Sequence, residues 1–583
     1  MDQRIVDATA AGDREEVSIP GSLTALLEAR LDSLSDLQRA VLQRGSIEGQ
    51  VFHRGAVSTL LPSDLRSEVA SSFGPLMQKE FISPGEAELA GEDAFRFRHL
   101  LIKDAAYRAL PKETRAELHE RLADWLEDVA GPRLPELEEI VAYHLEAAFR
   151  YREELGGTDA ASALAHRAAA RFAAAGERAS KRGDVGAATS LLGRAVELGD
   201  LGQHDRVRVL LKLANVAELA GQTDIARTAW GEIDAKMSTT SDDPLHAAVM
   251  VERLNTALME EADLDWPATA RAETDVAIPI LERSGDDRGL ATAYFVRGNA
   301  DWVDERISSA TSAWELAAIR ARRAGDSSLE AEVLSWIGVA STFGGTPVDD
   351  AVLQLRSLSA RVAGVAIAEG IVDVALSMSM AIRGDDLEAG AAADRARAMW
   401  REHGLHFYVA HYASQGDAWV ARCHGDPDAE SRAWREGFEA SRRIDQDNEF
   451  LAVNLAKLLA ARGDPDRATR LMDSVAHIVS PGNRQVHNLW VEASAIAAAR
   501  YGKADEARRA CAEIAEAIEN TEFIIGAADG WMTIALVDRL LRDMAGCDAA
   551  VERALDLYRA KGATALIAQA ERWRNEPVPP TVD

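Results

Sequence analysis

Cysteine is almost absent from this chain: Cys423, Cys511 and Cys547 are the three in 583 residues, far apart and with no CxxC pair. A disulfide framework and a cysteine-built zinc site are therefore not implied. Aromatics are few, at 6%, and β-branched runs are scarce, which points to helix rather than strand. Positive charge is also short: 65 Lys and Arg against 95 Asp and Glu leave a net charge of −30. With no basic stripe to neutralise phosphates, broad nucleic-acid binding is not expected. Arg320, Arg322 and Arg323 read as a solvated helix face. No run of 18 apolar residues occurs, and the most apolar stretch, Ala366 to Ile382, carries Glu369 and Asp373. The first residues contain no apolar signal segment. The expectation is a cytoplasmic protein that does not enter a membrane.

Catalytic signatures are missing too. Gly502-Lys503 is followed by Ala504 and preceded by no Gly-rich run, so the chain has no phosphate loop of its own. GxSxG, HExxH and EF-hand patterns do not occur. His403, His406 and His411 span a glycine-containing turn and read as structural histidines rather than as a ligand set. Glu260-Glu261 and Asp349-Asp350 sit at turns or helix starts, where carboxylates favour the helix dipole. No catalytic residue, no metal and no resident cofactor is expected.

What the chain does have is punctuation. Gly183-Asp184, Gly384-Asp385, Gly425-Asp426 and Gly463-Asp464 interrupt Ala/Leu/Arg-rich helical patterns, and Gly221, Gly502 and Gly546 occupy the same place in the cycle. From Gly384 onward the spacings are 41, 38, 39 and 44 residues. Such a turn has a mechanism: Gly closes one helix in the left-handed conformation and Asp caps the next. Pro427 and Pro465 then fall at the first helical position. Five residues after the glycine stands a small residue, Ala188, Ala226, Ala389, Ala468 or Ala507, which lets two helices pack closely. A period near 40 means stacked helical hairpins, and stacked hairpins present a binding surface. Between Gly221 and Gly344 the turns are less regular, and placing them near Asp263–Asp265 and Asp304–Arg306 restores the period. The twelve tryptophans, among them Trp230, Trp314, Trp336, Trp400 and Trp490, are expected mostly between helices, with a few lining a groove.

The first part of the chain differs. After Ile19-Pro20-Gly21, with Ser22 as a helix cap, helices are expected at Leu23–Leu31 and Ser35–Gln43, then near Gly55–Leu61 and Ser63–Lys79. Phe81-Ile82-Ser83 and Ala94–His99 flank a Gly/Glu-rich loop, and Phe95 and Phe97 alternate with Arg96 and Arg98, predicting a β-hairpin with one buried face. Helices follow at about Leu100–Leu110 and at Lys112–Asp128, the latter with Leu118, Leu122 and Trp125 on one face. Gly131-Pro132 marks a boundary, and Pro577, Pro579 and Pro580 end the helical array.

Two of these segments carry a resemblance. Leu26-Leu27-Glu28-Ala29-Arg30-Leu31-Asp32-Ser33-Leu34, behind Ile19-Pro20, and Glu92 to Tyr107 resemble the stretch after the ATPase domain in bacterial STAND-type signalling ATPases. Ala554 to Gly562 resembles the last repeat of the members fused to class III adenylate/guanylate cyclases. The resemblance implies an all-α chain: a winged-helix-like domain with a β-hairpin at 19–130, then a tetratricopeptide-like superhelix of about ten hairpins at 131–575. Residues 1–18 would be a tail in which Asp2–Val6 resembles the last helix of the ATPase domain, and 576–583 a disordered tail. Catalytic domains would lie upstream, and ATP or ADP would enter only with an ATPase domain. In the family, a winged-helix histidine touches the β-phosphate of bound ADP, and His99 stands at the matching place. The expected function is a regulatory sensor or scaffold that holds a protein partner or small inducer on its concave surface, with a separate ATPase or cyclase chain as a further partner. The alternatives are the C-terminal portion of a cyclase or STAND ATPase, and a fragment of a LuxR-like regulator.

Overall fold

The computed structural model describes residues 27–576 except 28, 88, 90, 158, 200, 237–242, 258–265, 445–447 and 480–481. The expectations for the first 26 residues, for the turn at Asp263–Asp265 and for the tail beyond Glu576 lie outside the described residues. The chain forms two compact units, one of residues 1–179 and 186–213, the other of 180–185 and 214–583.

In the first unit Ser35 caps the helix Asp36–Glu48 by accepting from the Gln38 N–H. That helix packs on Arg54–Leu60, Val69–Gln78, Leu100–Arg108 and Lys112–Ala130. The expected hairpin is present and gains a third strand: β1 (Val51–His53), β2 (Ile82–Pro84) and β3 (Ala94–Phe97) form an antiparallel sheet in the order β1-β3-β2. Phe52 stands opposite Phe95, and Ile82 opposite Phe97. Three residues of β1 are too few for a period-two signal, so the sequence does not announce this strand. Phe97 is buried, and Phe95 stacks on Phe73 at 4.1 Å. The helix expected from Ser63 begins only at Val69, because Pro62 opens a turn that runs into a short 3₁₀ segment, Arg66–Glu68. Leu118, Leu122 and Trp125 are all buried on Lys112–Ala130.

The second unit is a succession of helical hairpins, and among the described residues it contains no strand. Successive helices pair as Asp287–Val303 with Ile307–Arg323, Ala366–Arg383 with Asp386–Glu402, Glu449–Ala461 with Pro465–Val475, and Ile524–Leu540 with Met544–Lys561. Gly183, Gly221, Gly384, Gly425, Gly463 and Gly502 have φ between +70° and +97°. Asp426 and Asp464 accept backbone N–H groups of the following helix. Gly546 departs from this set. It lies inside Met544–Lys561, its N–H donates to the Asp543 cap, and Arg542 takes the left-handed position at φ +65°. The turn at Asp304–Arg306 is present, with Glu305 at φ +62°. Gly285-Asp286 and Gly325-Asp326 are further left-handed turns with Asp caps, and they separate hairpins instead of closing them. The same punctuation thus serves two kinds of turn, which is why the period looks broken there.

The small residues after the turns, Ala188, Ala226, Ala389, Ala468 and Ala507, are all buried. Two glycines allow tryptophans between crossing helices: a Cβ on Gly298 would fall 2.3 Å from Trp314, and one on Gly370 2.1 Å from Trp400. Trp314 donates to Asn299 and Trp400 to the Ala366 carbonyl, so neither indole N–H is stranded. Among the described residues no helix is long and apolar enough to cross a membrane.

The array in this unit curls until its end meets its middle. Thr564–Asn575 packs on Ala366–Arg383 and Ser414–His424, and Ile524–Leu540 touches Ser327–Phe343. Gln569 donates to the carbonyls of Arg422 and Cys423, the latter at 2.7 Å. Arg422 holds Asp529 through two nitrogens, at 2.8 and 2.5 Å, and Tyr558 donates to the same carboxylate.

Candidate binding cavity

Curling leaves a cavity of about 1800 Å³ inside the second unit. Its wall is built largely from the first helix of successive hairpins. Ser327–Phe343 contributes Glu332, Trp336, Val339 and Phe343, spaced as one helical face. Ala366–Arg383 contributes Ile367, Ile371, Val374 and Met378 in the same way. Aromatic rings meet along the wall. Trp302 lies 4.6 Å from Phe523 and 6.2 Å from Trp336, Trp336 is 5.9 Å from Tyr412, and Phe343 is 5.9 Å from Trp419.

The helix at the centre of this wall is irregular. His406–Tyr408 runs through a π-helical turn, Val409–Ala413, into Ser414–His424. An inserted residue of this kind shifts the phase of a helix, and such turns favour functional sites. Here Phe407, Tyr408, His411 and Tyr412 all line the cavity. His411 is half-buried, bonds Asn448 at 2.6 Å, and is pushed by desolvation down to about 4, so it is neutral at pH 7. The three sequence histidines therefore part company: His403 bonds the Met399 carbonyl, while His406 and His411 face the cavity. Among the described residues no group of three His, Cys, Asp or Glu side chains is placed to hold a metal ion.

The charged lining is mostly acidic and unevenly satisfied. Glu492 is answered by Lys457 and accepts from Thr533 at 2.6 Å. Burial alone would raise the Asp529 carboxyl, but Arg422 outweighs it and holds that group below its ordinary value. Glu305 accepts from Asn488 at 3.1 Å, yet burial still raises it, as it does Glu430 and Glu449. Glu332 is half-buried, and burial, reinforced by the charges of Asp326 and Glu252, pushes it up to about 7. No ion pair or side-chain hydrogen bond reaches its carboxylate among the described residues.

His99 lies elsewhere, in the first unit. It follows β3 at the cap of Leu100–Arg108, exposed, with no side-chain capping bond. The sequence groups the aromatics and acids of the second unit only as helical stripes. Nothing in their spacing separates the ones that face the cavity from those between helices. The segment His406 to Tyr412, five rings among seven residues, is the local signal that was there to be read.

No family model matches the chain. A curated relative, an uncharacterised protein of Rhizobium meliloti (strain 1021), is 27% identical over 194 residues, which is 33% of this chain and 17% of that protein's length. Among solved structures, the chain is similar to a Rap protein complexed with competence and sporulation factor, at 11% identity and TM-score 0.47, over 62% of this chain and 99% of that one. It is also similar to a STAND protein with a tetratricopeptide repeat sensor from Pyrococcus horikoshii, at 14% identity and TM-score 0.46, over 79% of this chain and 66% of that one. These likenesses concern the fold alone.

Proposed function

We propose that this chain is a non-catalytic regulatory module that holds a peptide segment of a protein partner, or a small inducer, inside its helical array. The observation that carries this reading is the cavity of about 1800 Å³ with its continuous aromatic wall. Pockets for single small molecules run to roughly 1000 Å³, so the space suits several residues of a peptide. Rigid aromatic anchors supply most of the energy in such contacts. The resemblance of Glu92 to Tyr107 supports a role in cytoplasmic bacterial signalling, with residues 19–130 as the winged-helix-like part. That resemblance also supports a second reading, the C-terminal portion of a longer ATP-binding cyclase or STAND ATPase. In either case His99, exposed beside β3, would reach a nucleotide phosphate held by an ATPase domain.

A library of random hexapeptides, with a panel of small metabolites, tests the binding role through tryptophan fluorescence and thermal melting. The expected result is saturable binding of one ligand per chain, weakened about 10-fold or more by Trp336→Ala. Failure of every compound to bind at millimolar concentration would sink the proposal.

A further inference from the structure

One stretch of the cavity wall has a chemistry of its own. Glu332 stands one helical turn from Trp336 on Ser327–Phe343. Its charge is felt by Tyr408 and Tyr412, which the π-helical turn brings to the same wall. Among the described residues neither phenol hydroxyl has a hydrogen-bond partner, and the Glu332 carboxylate has none either, although all three face the cavity. Trp336 and Phe407 meet the Tyr412 ring edge-to-face at 5.9 and 6.0 Å, so this part of the wall is aromatic. None of those carboxylate and phenol oxygens is sealed inside the packing, so all three groups stand as open acceptors on the cavity wall. The remaining charges nearby, Asp326 and Glu252, have the same sign as Glu332.

Resting on the proposed binding role, we infer that this niche is a cation subsite: the ligand carries an ammonium group that stands at Glu332, against the faces of Trp336 and Tyr412. Carboxylate and phenol oxygens accept its N–H bonds, and the ring quadrupoles attract its charge. A free amine and a lysine side chain in a peptide share this chemistry. The ordinary carboxylate range lies well below the value of about 7 at which burial leaves Glu332, so a bound cation draws that group into its ionised form. Binding near pH 6.5 should therefore release a proton to solvent.

Three probes test this on the whole chain: n-butylammonium, a lysine-bearing hexapeptide chosen from the library, and its acetyl-lysine counterpart. The lysine peptide is expected to bind about 10-fold or more tightly than the acetylated one. Titration calorimetry at pH 6.5, in buffers of different ionisation heat, should show proton release. Glu332→Gln should abolish both the preference and the release while leaving the acetylated peptide's affinity within about 3-fold. Because Gln is nearly isosteric, an unchanged melting temperature keeps the comparison valid; Tyr412→Phe gives a second, milder variant with a smaller loss. Tight binding of butylammonium alone would assign the subsite to a small amine. Equal affinity for the two peptides would overturn the cation subsite and leave the binding role standing. Failure of all three probes together with the rest of the library would overturn both.

Discussion

Lys561 is 1% exposed, and its ammonium donates to three carbonyls, those of Ser341, Gly344 and Thr346, at 2.7, 2.8 and 2.6 Å. Burial lowers it to about 8, so it stays charged at pH 7 with every donor filled. It also sits on the C-terminal carbonyls of Ser327–Phe343, where the helix dipole favours a cation. Lys561→Met keeps the volume and strands the three acceptors. Urea unfolding should show a loss of roughly 3 kcal/mol, whereas a change under ~0.5 kcal/mol would mean that water replaces the ammonium. A second residue belongs to the turn chemistry. Gly463 has φ +91°, so Gly463→Val should cost about 1 kcal/mol or more by the same measurement. The sequence shows the need for Gly463, since Gly, Asp and Pro in order spell out one helix's end and the next one's start. It hides Lys561, because the acceptors lie 215 to 220 residues away and a lysine near a helix end reads as solvated.

At the scale of elements, the π-helical turn at Val409–Ala413 decides which side chains the cavity receives. Deleting Val409 would restore the ordinary ladder and rotate Phe407 and Tyr408 by about 100° relative to Tyr412. Circular dichroism should then show unchanged helix content, while titration shows the lysine peptide's affinity lost. Helix crossing is equally exacting. Gly370→Ala puts a methyl against Trp400 and should destabilise the unit by roughly 1–3 kcal/mol in a thermal melt. Hairpin succession was legible because Gly-Asp turns and buried alanines repeat in register. The phase shift was not, because the residues around Val409 read as ordinary helix. Nor could the wall be told from the core, since rings recur at helical spacing in both. β1 escaped for the opposite reason: three residues hold too little pattern, and only pairing with β3 makes Val51–His53 a strand.

At the scale of the molecule, each unit buries titratable groups that respond to acid. In the first, the His119 and His144 rings meet at 2.9 Å between their Nδ1 atoms, Tyr107 bonds the far side of His119, and Arg115 and Tyr143 stand nearby. Burial lowers His144 to about 4. The unfolded chain, with His near 6.5, therefore takes up the proton first. The stability this neutral pair contributes is complete above pH 6.5 and is lost as pH falls toward 4, on the order of 3 kcal/mol for His144. Calorimetry from pH 7 to 4 should show the decline, and His144→Gln should flatten it.

The stitch between the end of the second unit and its middle has a kinetic meaning. An open repeat array frays from its terminal repeat inward, each repeat leaning only on its neighbour. Here the terminal helix Thr564–Asn575 leans on Ala366–Arg383, so peeling it away means undoing contacts some 180 residues back. Native-state hydrogen exchange should find the two helices opening together, at one free energy, instead of a gradient falling toward the C-terminus. Such a ring closes late in folding, because the loop it completes is long.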